Sequence, residues 1–353
     1  MQLTSYLPVC IHLTNMKHCL SVSWIFAVLA VCGHLSMAEA RHSSNHGVLI
    51  IGGLNEKVLN GAASNDDIYN DIEVFPASCR SPVPELPMLN AVAGSYKGQV
   101  IACGGTNMTS PEYGTLSLEC FQLSVENTWQ KIAPLNMART QFYSVLIEVG
   151  EYLVAIFTPY DGLTSMEVFD GERWTMRPDL ELGLDSFPET VDLTTGDFVA
   201  REEWGLSYVM SNLILTLHIP TGTWDRQDVS TSTNDDETIL GARVQPVDNG
   251  ILRTGGTNLA KSSNSTTFMS LATGSDDWEI YPSLNFARFG HSLAVIDGVP
   301  TVFGGAEYDM GTVLPALAST ERFVGGKWVE GEKMQKARLM QRVLVIPCDA
   351  PAK

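Results

Sequence analysis

Short apolar runs that end in a glycine pair recur along the chain. VLIIGG closes at Gly53, VIACGG at Gly105, ILRTGG at Gly256 and PTVFGG at Gly305. Tryptophans at Trp129, Trp174, Trp224, Trp278 and Trp328 recur at intervals of about fifty residues, the scale of a repeat architecture. One period holds four short strand patterns. In the last complete one, HSLAVID carries the branched and partly alternating residues of a strand. Asp297-Gly298 supplies a tight hairpin turn, and VPTVFGG is the second strand. A long loop leads to STERFVG, and Gly325-Gly326 turns the chain into KWVEGE. Four antiparallel strands with a glycine and aromatic signature predict one blade of a β-propeller.

Six such units start near residues 47, 91, 139, 187, 241 and 288. Unit three has Ile156-Phe157 where the glycine pair belongs, and unit four has Val199-Ala200. Unit one lacks the tryptophan and carries the proline-rich stretch CRSPVPELP. The chain opens on GVLIIGG, a second strand with no first strand before it. Residues 337–347, ARLMQRVLVIP, read as a first strand with no blade after it. The two ends are expected to complete one blade together, which removes the exposed edges of an open ring.

The order of strand, glycine pair, loop, aromatic, short turn and tryptophan, followed by a start such as Arg288-Phe289-Gly290-His291-Ser292, resembles the kelch repeat over essentially all of the chain after residue 46. The resemblance implies an all-β, six-bladed kelch-type propeller closed by its C-terminal strand. It implies that the glycine pair sits where backbones crowd and that the tryptophan packs between blades. Partners of such propellers dock on the face built by the loops after strands two and four. Here the loops after strand two, 54–67, 106–114 and 306–317, are long. Arg139, Arg288 and Arg338 open first strands on that face and predict a basic ring suited to carboxylates. The alternative is that each arginine pairs with a neighbouring acidic residue.

In this frame Cys103 ends a second strand and Cys120 sits in the third strand of the same blade, within disulfide reach. Cys79 follows the third strand of blade one, and Cys348 follows its first strand. The expected bonds are Cys103–Cys120 and Cys79–Cys348, the second locking the ring.

The N-terminus changes the compartment. Met16-Lys17-His18 precedes the apolar run CLSVSWIFAVLAVCG, and Ala38-Glu39-Ala40 ends the stretch after it. This is the form of a secretory signal peptide over residues 1–40, with 1–15 as an upstream extension, cleaved to leave a propeller over 41–353. An uncleaved signal anchor is the alternative. Cleavage removes Cys10, Cys19 and Cys32, leaving the four cysteines already paired above. In a secreted chain, Asn107-Met108-Thr109 and Asn264-Ser265-Thr266 are glycosylation sequons.

Composition narrows the function. A net charge of −18 over 353 residues disfavours nucleic acid as a partner and gives no basic footprint for an anionic membrane. The mature histidines are His42, His46, His218 and His291; the first two are placed in the leader before the first strand. No His/Cys/Asp group has metal-ligand spacing, and no nucleophile elbow, P-loop or dinucleotide fingerprint occurs. The acidic clusters at Asp66-Asp67, Asp235-Asp236-Glu237 and Asp276-Asp277 lie in loops and turns without a calcium-loop spacing and read as solvated turn carboxylates. The reading is therefore a monomeric, non-enzymatic, secreted protein-interaction module that uses no cofactor. An extracellular oxidase- or glycosidase-like enzyme and a structural matrix component are the alternatives.

Overall fold

The computed structural model describes residues 46–349, apart from 62–63, 107–115, 141–143, 158–164, 179–196, 202–204, 210–212, 232–239, 259 and 271–276. β1 (His46–Ile51) and β2 (Ile72–Phe75) belong to blade one and flank the four-residue helix α1 (Glu56–Leu59). Blade two holds β3 (Val92–Tyr96), β4 (Gln99–Cys103), β5 (Cys120–Leu123) and β6 (Trp129–Ile132). Blade three holds β7 (Ser144–Val149), β8 (Tyr152–Phe157), β9 (Ser165–Phe169) and β10 (Trp174–Met176). Blade four holds β11 (Asp197–Arg201), β12 (Gly205–Val209), β13 (Leu213–His218) and β14 (Thr223–Asp228). The short β15 (Ser230–Thr231) runs parallel to the outer edge of blade five. That blade is β16 (Arg243–Val247), β17 (Gly250–Thr254), β18 (Thr266–Ser270) and β19 (Asp277–Tyr281). Blade six starts with β20 (Ser292–Ile296) and β21 (Val299–Phe303). A small hairpin, β22 (Tyr308–Asp309) and β23 (Thr312–Val313), precedes β24 (Thr320–Val324) and β25 (Lys327–Glu330). β26 (Arg342–Pro347) returns to blade one and pairs with all of β1, from His46 opposite Pro347 to Ile51 opposite Arg342.

The molecule is thus an all-β, six-bladed propeller. The first strands β3, β7, β11, β16, β20 and β26 neighbour one another in that order, and β26 meets β3 to complete the ring. Apolar layers fill the seams between blades. Trp278 packs on Val209 and Ile214 of blade four, and Trp328 on Leu252 of blade five. Trp174 joins Val92 and Ile101 of blade two. Each tryptophan therefore buries its ring on the preceding blade, which is where its large apolar area stabilises the ring.

The glycine pairs answer a backbone requirement. Gly104 and Gly105 both take positive φ, 69° and 80°, a region that costs L-residues energy. A Cβ on Gly104 would sit 2.2 Å from the Arg139 carbonyl oxygen, and one on Gly304 would sit 2.4 Å from that of Arg338. The close approach is a bond: Gly105 N–H donates to Arg139 O, Gly256 to Arg288 O and Gly305 to Arg338 O. The pair is the socket that receives the segment entering the next blade.

Blade one is made by both ends of the repeat region. Among the described residues it has three strands, in the order β2, β1, β26. Prolines cannot donate to a ladder, and the stretch after Cys79 packs by its side chains instead. Val83, Leu86 and Met88 are buried against Ile72 and Val74. The Trp129 indole N–H donates to Pro84 O at 3.0 Å. The Cys79–Cys348 disulfide, with Cα atoms 4.5 Å apart, ties this stretch to the end of β26. Cys103 and Cys120 face each other in register across β4 and β5 and form the second disulfide, Cα atoms 4.1 Å apart.

Two expectations need correction. Val199-Ala200, expected at the end of a second strand, lies in β11, the first strand of blade four. The second strand is β12, GLSYV, which ends without glycines. With no glycine pair at its end, the second strand of this blade carries no mark that separates it from the first. His46, expected in the leader, starts β1, and its Nδ1 meets Asp297 Oδ1 at 2.6 Å. The signal peptide over 1–40 falls outside the described residues, and no helix among the described residues is long and apolar enough to cross a membrane.

Candidate functional site

The three arginines expected at the binding face are internal. Arg139, Arg288 and Arg338 are each 0 % exposed. Arg139 Nη2 meets Glu167 Oε1 at 2.9 Å, and Arg288 Nη2 meets Glu321 Oε1 at 2.7 Å, with both acids fully buried too. Arg338 Nη2 lies 2.8 Å from Asp71 and 3.5 Å from Glu73. The basic ring open to carboxylates is therefore corrected: the carboxylates are the protein's own.

The geometry repeats. Each arginine ends a link from one blade and reaches a carboxylate on the third strand of the next. Arg288 Nη1 also donates to Gly304 O at 2.6 Å, and Arg338 Nη1 to Gly52 O at 2.7 Å. The glutamates accept more than the arginine. Glu321 takes the Asn285 backbone N–H, the Asn285 side chain and the Phe286 N–H. Glu167 takes the same three from Asn136 and Met137. Burial pulls the Arg139 and Arg288 guanidiniums below their ordinary pKa, and the glutamates oppose this. Burial raises the Glu73 carboxyl against the pull of the Gln335 N–H and Arg338. At Asp71 burial also pushes upward, but Arg338 and Lys336 outweigh it and hold the carboxyl low. The sequence signal for these acids is the pattern glutamate-x-phenylalanine: Glu73-Val74-Phe75, Glu167-Val168-Phe169 and Glu321-Arg322-Phe323. Glu119-Cys120-Phe121 shares it, but Met88 stands at the matching place in the link entering blade two, and Glu119 pairs with Lys131 at the surface instead.

The face on which first strands begin carries the loops after strand two, and those of blades one, five and six are described. The α1 segment, the β22–β23 hairpin and the loop 258–263 are joined across three blades. Asn60 Nδ2 donates to Val313 O at 2.9 Å, and Val313 N–H returns a bond to Asn60 Oδ1. Ala316 N–H donates to Glu56. Ser262 N–H donates to Tyr308 O, and Met310 N–H to Ala260 O. Asn55 caps α1 by accepting from Lys57 N–H. Asp67 is not a solvated turn acid: the Ser64 N–H, the Ser64 hydroxyl and Asn55 hold its carboxyl down to about 2. From this platform Met310 (80 % exposed) and Leu59 (41 %) project. The loop 107–115, which carries the sequon Asn107, lies outside the described residues. Asn264 is exposed, and its Nδ2 donates to Leu284 O at 2.9 Å.

Along the axis runs a channel of about 430 Å³, walled by all six first strands. Arg243, Arg342 and Glu148 line it. His291 stands behind the wall, fully buried, with Nε2 2.8 Å from Thr254 Oγ1. Burial and the Arg288 and Arg243 charges hold its pKa well below the ordinary value. His218 meets Asp225 at the surface. Among the described residues no group of three His, Cys, Asp or Glu is placed to hold a metal ion. The Asp235-Asp236 pair and Asp276 lie outside the described residues. No family model matches the chain, and no curated protein matches it in sequence.

Proposed function

We propose that the chain is a secreted kelch-type propeller that binds another protein through its loop face and catalyses no reaction. The observation that carries this reading is the joined platform of α1, the β22–β23 hairpin and the loop 258–263, with Met310 and Leu59 at its surface. A pre-ordered surface loses little entropy on binding, and exposed apolar anchors on such a surface are what a partner desolvates. The two disulfides suit an oxidising compartment. The kelch resemblance adds the expectation that partners use this face.

Affinity capture from extracellular fluid tests it, with the intact oxidised protein as bait. A specific partner is expected with the native protein and is lost with Leu59→Asp/Met310→Asp. Val125→Asp serves as the control, since Val125 is 92 % exposed in a turn on the opposite face. A partner retained by the double variant, or turnover of an oxidase or glycosidase substrate, would overturn the reading.

A further inference from the structure

The proline-rich stretch after β2 presents a surface of its own. From Ser81 to Pro87 the chain reads SPVPELP. Pro82, Pro84 and Pro87 fix their own φ near about −65°. Ser81, Val83 and Leu86 each precede a proline, which pushes them to extended backbone. Burial then repeats every third residue. Val83 and Leu86 are 7 % and 2 % exposed, while Ser81, Pro82, Pro84, Glu85 and Pro87 are open to solvent. A period of three is that of the polyproline II helix; a strand would alternate, and an α-helix would recur at about 3.6.

This helix is held from behind. Asn127 Nδ2 donates to Pro82 O at 2.7 Å, and Trp129 Nε1 to Pro84 O at 3.0 Å. Leu86 N–H donates to Asn70 O at 2.9 Å, and Asn70 Nδ2 returns a bond to Leu86 O at 3.1 Å. The Cys79–Cys348 disulfide fixes the segment just before it starts. One edge of the helix, Val83 and Leu86, is thus committed to the apolar layer between blades one and two. The edge carrying Pro84 and Pro87 faces outward, with the two rings about 9 Å apart at a rise of about 3.1 Å per residue. Pro82 and Glu85 stand on the third edge, beside it.

We propose that this ridge docks a protein domain whose groove is lined with aromatic side chains and reads prolines three residues apart. Such grooves take a polyproline II ridge because it is pre-formed and its rings pack on aromatic faces. A free proline-rich peptide still loses freedom on docking; here the disulfide and the hydrogen bonds behind the ridge have already removed it. An incoming β-strand fits less well, since it needs backbone donors and prolines supply none. The ridge lies beside β2, at the outer edge of blade one, so the proposal is independent of any partner on the loop platform.

Calorimetric titration of the intact oxidised protein with purified SH3, WW and EVH1 domains tests it. At least one of the three is expected to bind. Pro84→Ser/Pro87→Ser removes two exposed rings and is expected to weaken that binding at least tenfold with unchanged melting. Pro87→Arg, a single change that keeps Pro84, is expected to do the same and keeps the test decisive if the double variant unfolds. Pro220→Ser removes an exposed proline from a turn of blade four and is expected to bind as the native protein does. No binding by any of the three domains, undiminished binding in a folded ridge variant, or an equal loss in Pro220→Ser would overturn the proposal.

Discussion

Replacing Glu321 by Ala is the sharpest perturbation of the ring. Glu321 and Arg288 are both fully buried and 2.7 Å apart, so the substitution strands a guanidinium away from water. Breaking a buried pair from one side costs about 3–5 kcal/mol. Here three further donors, the Asn285 N–H, the Asn285 amide and the Phe286 N–H, lose their acceptor as well, which places the expected cost at the upper end of that range. At about 2 °C per kcal/mol for a chain of this size, the midpoint of thermal unfolding falls by roughly 6–10 °C. Scanning calorimetry of the oxidised protein reads it. The internal control is Glu119→Ala: its ion pair with Lys131 is about half exposed on each side, and such pairs contribute about 0.2–1 kcal/mol. A second arm replaces both partners, Arg288→Met/Glu321→Met. With no charge stranded, its cost should fall below the sum of the two single substitutions. If Glu321→Ala melts within a degree of Glu119→Ala, the buried struts do not hold the blades together and the account of the links is wrong.

Removing β26 should unfold all six blades in one transition, since β1 then loses its partner along its full length; a truncated chain lacking 342–353 that melts normally refutes closure at this seam. Loss of the Cys79–Cys348 bond frees a loop of 269 residues and loss of Cys103–Cys120 one of 17, so chain entropy makes Cys348→Ser costlier than Cys120→Ser by about 2.5 kcal/mol. Equal denaturant midpoints for the two variants would refute that ordering. His291 is kept neutral in the fold, while the unfolded chain takes up its proton near pH 6.5. Its contribution to stability is therefore present above that pH and declines as pH falls, by about 1.4 kcal/mol per unit until the folded group titrates; His291→Gln should flatten this slope in urea melts at pH 4.5 to 7, and an unchanged slope would show that other groups cause it. Enzymatic deglycosylation of secreted protein should lower its mass in two steps, with Asn264→Gln and Asn107→Gln each removing one; a protein of unshifted mass counts against both sequons.

The parts of the fold that were legible are those where one residue type answers one physical demand. Gly104-Gly105 and Gly304-Gly305 occupy positive φ beneath a carbonyl that a Cβ would strike, so the chain spells them with glycine. Trp278 and Trp328 fill seams that need a large apolar plate. The two disulfides followed once the strands were numbered. The strand order of blade four is not legible, because β12 ends without the glycine mark and β11 is an equally good strand beside it. The repeat locates the arginines, but a side chain's position in it does not say whether it turns inward, so an open basic ring and internal ion pairs are equally compatible with the sequence. The answer lay in Glu167 and Glu321, which recur with Arg139 and Arg288 but sit about thirty residues away. The platform was invisible: Asn60 and Val313 are partners across 253 residues, and nothing local marks either.

The pairing of β1 with β26 also sets a schedule for synthesis. Val48, Leu49, Ile50 and Ile51 are fully buried in the finished ring, yet they are made about 290 residues before Arg342, the partner of Ile51. At ribosomal speeds of about 5–20 residues per second, this apolar strand waits roughly 15–60 s for its mate. During that interval blades two to six can assemble in order, but the chain remains an open arc with adhesive ends. The same bond that makes the mature ring hard to pry apart therefore makes its nascent form dependent on protection from neighbouring chains.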